Sequence, residues 1–176
     1  MGSPHAIVLL GPKHAGKTSA GSVLARFRRG EFIDLDGLME RQTGTPPRTL
    51  YRADPGGFRK AEFRALETAL ESSALRVIAA GGGIIDNDDA VELFKRSGAI
   101  LVYLEVSADT AWERITRSGD GLPPFLNTEN PRETHRKLHE RRGAAYKRLS
   151  HITVSGEEGS PDAVGGEIDR MLQRFL

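Results

Sequence analysis

The chain predicts an α/β fold, a central parallel sheet of five strands with helices on both faces. Two observations predict it. Five short apolar runs rich in branched residues recur along the chain, and segments with helical spacing separate them. Ala6-Ile7-Val8-Leu9-Leu10 is unbroken and ends at Gly11, as a strand covered on both faces should be. Comparable runs lie at Phe32-Ile33, 76–80, 99–104 and 151–154. Helical spacing covers 16–28, 58–72, 88–96, 108–117, 132–148 and 161–174. Strands that alternate with helices place those strands parallel and the helices on the sheet's faces. Ser107 and Ser160-Pro161 read as helix starts, and Gly98 as the stop before the fourth strand.

Composition narrows the function classes. With 176 residues and 38% hydrophobic content, one core and one domain spanning 1–176 are expected. The 25 Lys and Arg nearly cancel the 24 Asp and Glu, so net charge draws the chain toward neither nucleic acid nor an anionic membrane. The absence of cysteine removes disulfides, thiolate metal sites and cysteine nucleophiles. The start, Met1-Gly2-Ser3-Pro4-His5, has no leader pattern, and no apolar run is long enough to span a bilayer. A soluble cytoplasmic protein is expected, with no nucleic-acid or membrane partner.

Two segments interrupt the alternation. Residues 117–131 hold Gly119, Gly121, Pro123, Pro124 and two Asn, and read as an irregular mobile lid. Residues 44–55 are broken by Pro46, Pro47 and Pro55, with room for a short helical turn at 48–52.

Between the first strand and the first helix lies Gly11-Pro12-Lys13-His14-Ala15-Gly16-Lys17-Thr18, the spacing of a Walker A loop. Glycines let such a loop turn its amides inward around phosphate oxygens, and the following helix adds the positive end of its dipole. Lys17 then supplies a charge for the β- and γ-phosphates, Thr18 an oxygen for Mg²⁺, and Ser19 the next position of the cradle. The fold is therefore expected to be the three-layer P-loop NTPase type. The guanine-reading Asn/Thr-Lys-x-Asp motif is absent, and ATP with Mg²⁺ is the expected cofactor pair.

Phe32-Ile33-Asp34-Leu35-Asp36 sets two carboxylates at the end of the second strand, where open α/β sheets bind ligands. Asp34 is placed to hold Mg²⁺ through water, and Asp36 to accept a hydrogen bond or proton from an acceptor hydroxyl. A helix cap beside a solvated acid is the alternative reading of the pair. Phe58-Arg59-Lys60-Ala61-Glu62 opens a helix, Gly81-Gly82-Gly83 follows the third strand, and Arg142-Gly143-Ala144-Ala145-Tyr146 lies near the last helix before the fifth strand. Arg59 and Arg142 are the forked donors that read a carboxylate best.

Taken with the Walker A loop and Asp34-x-Asp36, this order resembles the shikimate kinase family over nearly the whole chain. The resemblance implies ATP-dependent phosphorylation of a ring hydroxyl of a small carboxylate, most simply shikimate, with Lys17, Asp36 and Arg59 catalytic. It further implies that Asp36, Arg59, Arg142 and the turn Gly81, Gly82 and Gly83 bind the acceptor. Arg114 would lie near the adenine, and the protein would be a monomer.

Three positions depart from the family's pattern. The lid segment that usually reads Arg-Pro-Leu-Leu is here Pro123-Pro124-Phe125-Leu126, which removes a cation and leaves Arg117 as the nearest substitute. Asp54-Pro55 stands in place of Gly-Glu, removing a Glu expected to support the acceptor arginines. His14 replaces a Gly. These departures leave open a kinase for another hydroxy acid, or a nucleotide-binding regulatory protein that has lost catalysis. His135 and His139, four apart on a helix, lack a third ligand, so a metal site there is set aside. The basic run from Arg136 to Arg148 reads as a solvated face, and Trp112 as core.

Overall fold

The computed structural model describes residues 5–175, so residues 1–4, on which the reading of a leaderless start rests, lie outside the described residues. In chain order the elements are β1 (Ala6–Leu10), α1 (Lys17–Arg28), β2 (Glu31–Asp34), α2 (Leu35–Thr43), α3 (Pro47–Ala53), α4 (Pro55–Leu70), β3 (Arg76–Ala79) and α5 (Asp88–Ser97). They continue with β4 (Ile100–Glu105), α6 (Ala108–Arg117), α7 (Pro131–Leu149), β5 (Ile152–Ser155) and α8 (Pro161–Phe175). Short 3-10 turns occupy Ile84–Asp86 and Pro124–Leu126.

The five strands form one sheet in the order β2-β3-β1-β4-β5, and every neighbouring pair is parallel. Alternate residues of the central strands supply two cores, as the two-residue period of a strand requires. Val8, Leu10, Ile78, Leu101 and Tyr103 face one layer with Met39, Leu66, Phe94 and Tyr146 from α2, α4, α5 and α7. Ile7, Leu9, Val77, Val102 and Leu104 face the other with Leu24 from α1 and Ile168 and Leu172 from α8. β1 is buried at all five positions, which is why it reads as continuous apolar sequence. β5, at the sheet's edge, alternates buried Ile152 and Val154 with exposed Thr153 and Ser155.

Caps act where the sequence predicts them. Ser107 Oγ accepts from the Thr110 amide, Ser160 Oγ from the Ala163 amide, and Gly98 closes α5 at φ 69°. The region between β2 and β3 is more helical than the sequence suggests. No element is expected over 35–43, yet α2 follows β2 without a loop, its N-terminus capped by Asp34, whose Oδ1 accepts from the Gly37 amide. Pro47 and Pro55, expected as breaks, instead begin α3 and α4, where a missing N–H has no helical partner to lose. No helix among the described residues is long and apolar enough to cross a membrane.

Leu66 on α4 is fully buried beneath the helix that carries Arg59. Replacing it with Ala should lower stability by about 2–5 kcal/mol, the range for a truncated buried leucine. A urea titration followed by circular dichroism checks this.

Candidate active site

The Walker A loop is shaped by one tight approach and one buried charge. Gly11 has φ 143°, and a Cβ there would sit 2.6 Å from the Leu104 carbonyl oxygen, so only glycine fits. Gly16, at φ 92°, caps α1. Lys17 is 7% exposed and donates to the carbonyls of Gly11 at 2.9 Å and Pro12 at 2.7 Å. Burial pulls its ammonium down to about 8, and Asp36 and Asp34 oppose that shift while Lys13 adds to it. Thr18 Oγ1 donates to Asp34 Oδ2 at 2.8 Å.

Lys13, His14, Gly16, Lys17, Thr18, Ser19, Asp34 and Arg114 line a cavity over this loop. Arg114 reaches it from α6 by donating to the carbonyls of His14, Gly156 and Glu157 at 2.8–3.1 Å. Three other expected cradle residues do not line it: Gly11 and Ala15 are buried and Pro12 lines the neighbouring cavity, although all three keep their place in the loop. His14 sits at φ 60°, a left-handed conformation uncommon outside glycine, and its Nε2 is buried without a partner. Burial and the charge of Lys13 hold its imidazole below the ordinary histidine range.

The neighbouring cavity gathers the expected acceptor residues. Asp36, Arg59, Gly81, Gly82, Gly83 and Arg142 all line it, although they come from α2, α4, the turn after β3, and α7. Asp34 ends β2, caps α2 and meets Thr18 at the wall of the Walker A cavity, so its capping does not turn it away from that cavity. Asp36 sits in the first turn of α2, where burial and the neighbouring Asp34 raise its pKa, against Lys17 and Lys13.

Carboxylates hold both arginines in place. Arg59 donates to Glu62 at 2.9 Å and to the Gly83 carbonyl at 2.9 Å. Glu62 is 2% exposed, and Asn87 also donates to it at 2.9 Å. Burial raises the Glu62 carboxyl, while Asn87 and Arg59 draw it back. Arg142 makes two bonds to Asp86 Oδ2, at 2.9 and 2.7 Å, and Arg141 binds the other oxygen. Burial pushes Asp86 up, but hydrogen bonds from Arg141 and Arg142 outweigh it and hold the carboxyl below the usual range.

These contacts correct the expectation attached to Asp54-Pro55. Glu62 and Asp86 support the arginines, so a Glu near position 55 is not needed for that purpose. Neither is obvious in the sequence, although Glu62 lies one helical turn from Arg59. The close approach at the triple glycine is also different from that expected: a Cβ on Gly82 would lie 2.7 Å from the Lys13 amide nitrogen, so the turn presses on the Walker A loop. Tyr146, stacked on Tyr103, donates to the Gly82 carbonyl at 2.7 Å and fixes the turn from below.

The segment expected as a lid holds only the 3-10 turn Pro124–Leu126 between α6 and α7. Arg117 is exposed and pairs with Glu113 at 3.5 Å, outside the cavity, so it does not replace the missing lid cation. Arg48 of α3 does line the cavity and donates to the lid carbonyls of Asp120 and Leu122. Trp112 is half-buried against His135 and is not core. His135 is buried and pulled down to about 4 by burial, His139 and Arg142, while His139 bonds the Val106 carbonyl. No cluster of three His, Cys, Asp or Glu suited to a metal occurs among the described residues.

The lowered Lys17 gives a pH signature. Its folded pKa, about 8, lies below the 10.5 of the exposed group, so between these values the unfolded chain holds a proton that the folded one has lost. Stability from this group therefore rises with pH across that window. Urea titrations at pH 7.5 and 10.5 should show wild type gaining on Lys17→Met by an amount on the order of 3 kcal/mol. An unchanged difference would mean the lysine is not desolvated.

Comparison with known proteins matches this architecture. The family model described as shikimate kinase matches residues 13–173. A shikimate kinase of Aromatoleum aromaticum is 33% identical over 170 residues, covering 96% of this chain and 95% of its own. The solved shikimate kinase from Acinetobacter baumannii in complex with shikimate superposes with a TM-score of 0.88 at 29% identity, covering 98% of this chain and 94% of that one. The shikimate kinase from Aquifex aeolicus gives a TM-score of 0.80 at 27% identity, with 96% of each chain covered. With a family match over most of its length, and a P-loop sheet whose strand ends carry the residues described above, the chain belongs to the shikimate kinase family.

Proposed function

We propose that this protein transfers the γ-phosphoryl group of Mg-ATP to a ring hydroxyl of shikimate. One observation carries the reading beyond family membership. The Walker A cavity and the arginine cavity meet, sharing Lys13, Asp36, Gly81 and Gly82 along their common wall. A donor in the first and an acceptor in the second are thereby brought together at a carboxylate.

Thr18 and Asp34 present hard oxygens within 2.8 Å of each other, which suits Mg²⁺, an ion that takes few protein ligands and completes its shell with phosphate and water. When bound, the ion neutralises charge on the transferring phosphate. Lys17 and the amides of the Walker A loop hold the phosphates, and Arg114 lines the same cavity from α6. Arg59 and Arg142 take the acceptor's carboxylate. Their guanidinia are fixed in advance by Glu62 and Asp86, so little ordering remains to be done on binding. Asp36 accepts the acceptor's hydroxyl proton, a role to which its raised pKa suits it. Phosphoryl transfer asks little covalent chemistry of the protein, and positioning with charge stabilisation supplies most of the rate. A nucleotide-binding regulator would have no use for the carboxylate clamp.

A coupled assay of ADP release from Mg-ATP, with shikimate and a panel of other hydroxy acids, tests the proposal. Shikimate should stimulate release, and ATP binding without stimulation by shikimate would refute the proposed acceptor. Asp36→Asn should reduce kcat by about 10²–10⁴-fold, the usual contribution of a general base, with circular dichroism unchanged. In the wild type, kcat/KM should fall as pH drops through a value above the ordinary 3.8 of an aspartate, because protonated Asp36 no longer accepts. The Asn variant should lose that limb of the profile.

A further inference from the structure

Beyond Arg117, which ends α6 and pairs with Glu113 outside the cavity, residues 118–131 contain no Lys or Arg, so this segment brings no positive charge of its own to the acceptor cavity. The arginines lining that cavity are Arg48, Arg59 and Arg142. Glu62 holds Arg59 and Asp86 holds Arg142, but among the described residues no carboxylate pairs with Arg48. Its guanidinium is directed at the lid. Nη1 donates to the Asp120 carbonyl, and Nη2 to the Leu122 carbonyl at 2.6 Å.

Those two carbonyls flank Gly121, at φ 68°, and Gly119, at φ 77°, precedes them. A short stretch with two left-handed glycines has wide conformational freedom, and one planar fork gathers two of its carbonyls. Immediately beyond, Pro123, Pro124 and Phe125 line the cavity, and the Phe125 ring lies 5.2 Å from the Arg142 guanidinium carbon. At the other end, α3 packs on α4 through an edge-to-face contact of Tyr51 and Phe58, beside Arg59. Arg48 therefore ties the segment that covers the cavity to α3, which packs on the helix that carries Arg59.

We propose that Arg48 is a positioning residue that fastens the lid over the acceptor cavity from α3, in a chain whose lid lacks a cation to fasten itself. The inference rests on the proposed kinase reaction for its effect on turnover, while the contact with the lid is independent of it. Lysine is a poor substitute, since one ammonium does not reproduce the two-pronged geometry.

Hydrogen exchange on the ligand-free wild type, Arg48→Ala and Arg48→Lys, read at the lid amides over 119–127 with β1 and β4 as reference, tests the fastening. Both variants should exchange faster in the lid and equally in the reference strands. In the assay above, kcat/KM for the acceptor should fall about 10–100-fold, the scale of a misplaced site element, while Mg-ATP affinity stays unchanged. Unaltered lid exchange in Arg48→Ala overturns the proposal. So does an Arg48→Lys variant that restores turnover while its lid still exchanges rapidly, since the group then acts as a charge on the substrate. A wild type inactive toward shikimate refutes the proposed reaction alone, and the exchange data still decide whether Arg48 holds the lid.

Discussion

The desolvated ammonium of Lys17 constrains everything around it. A charge buried this deeply needs oxygen partners, and the Walker A loop provides them by turning two of its own carbonyls inward. That turn is possible because Gly11 lies against the Leu104 carbonyl, at a separation no side chain allows. The remaining compensation comes from Asp34 and Asp36, which are not neighbours of the loop in sequence or in strand order. β3 lies between β2 and β1, so anything that joins the aspartates to the lysine must pass over the end of β3. The chain there is Gly81-Gly82-Gly83. With side chains in that turn, Asp36 and Lys13 would be pushed apart, since Cβ atoms on Gly81 and Gly82 would lie 3.1 Å from the one and 2.7 Å from the other.

This explains what is legible in the sequence. β1, the Walker A loop and α1 are local structures whose signals are contiguous, and the structure places them within a residue of the expected bounds. Lys17, Asp36, Arg59 and Arg142 stand out because each sits in a short recognisable motif. α2 does not, because it is short, joins β2 without a loop, and packs only Leu35, Leu38 and Met39 on the core, a single turn of helical spacing. Proline at 47 and 55 reads as interruption because the residue itself does not tell a helix's first turn from its interior. Glu62, Asp86 and Arg48 are hidden for a different reason. Each acts through a partner that packing alone supplies: Glu62 meets Asn87, Asp86 meets Arg142, and Arg48 meets Leu122.

As the proposed acceptor clamp, Arg59 and Arg142 illustrate a compromise between charge and order. Pairing Arg59 and Arg142 with carboxylates reduces the net positive charge available to an incoming anion. It also fixes two long side chains that would otherwise lose rotamer freedom on binding. For a small rigid acceptor the second effect is the more useful, because the phosphoryl acceptor must be held within a narrow range of distance and angle. Glu62 and Asp86 stabilise the clamp in different ways. Glu62 is nearly inaccessible and doubly hydrogen bonded, a fixed support, whereas Asp86 is partly exposed and shares its oxygens between two arginines on one helix.

A lid without a cation shifts the electrostatic work from a moving element to a fixed one. A mobile arginine stabilises the transferring phosphate only while the lid is closed, and its departure on opening helps product leave. Here the charges facing the joined cavities, Lys13, Lys17, Arg48, Arg59, Arg114 and Arg142, belong to the loop and helices of the scaffold. Their field is present whether the lid is open or closed, and it is strengthened on closure chiefly by the exclusion of water. The segment Pro123-Pro124-Phe125 is suited to excluding water, being apolar, stiffened by two prolines, and seated on Arg142 through the face of the phenyl ring. On this reading the segment acts as a cover, and the charge is stabilised by the scaffold beneath it, without removing the need for closure.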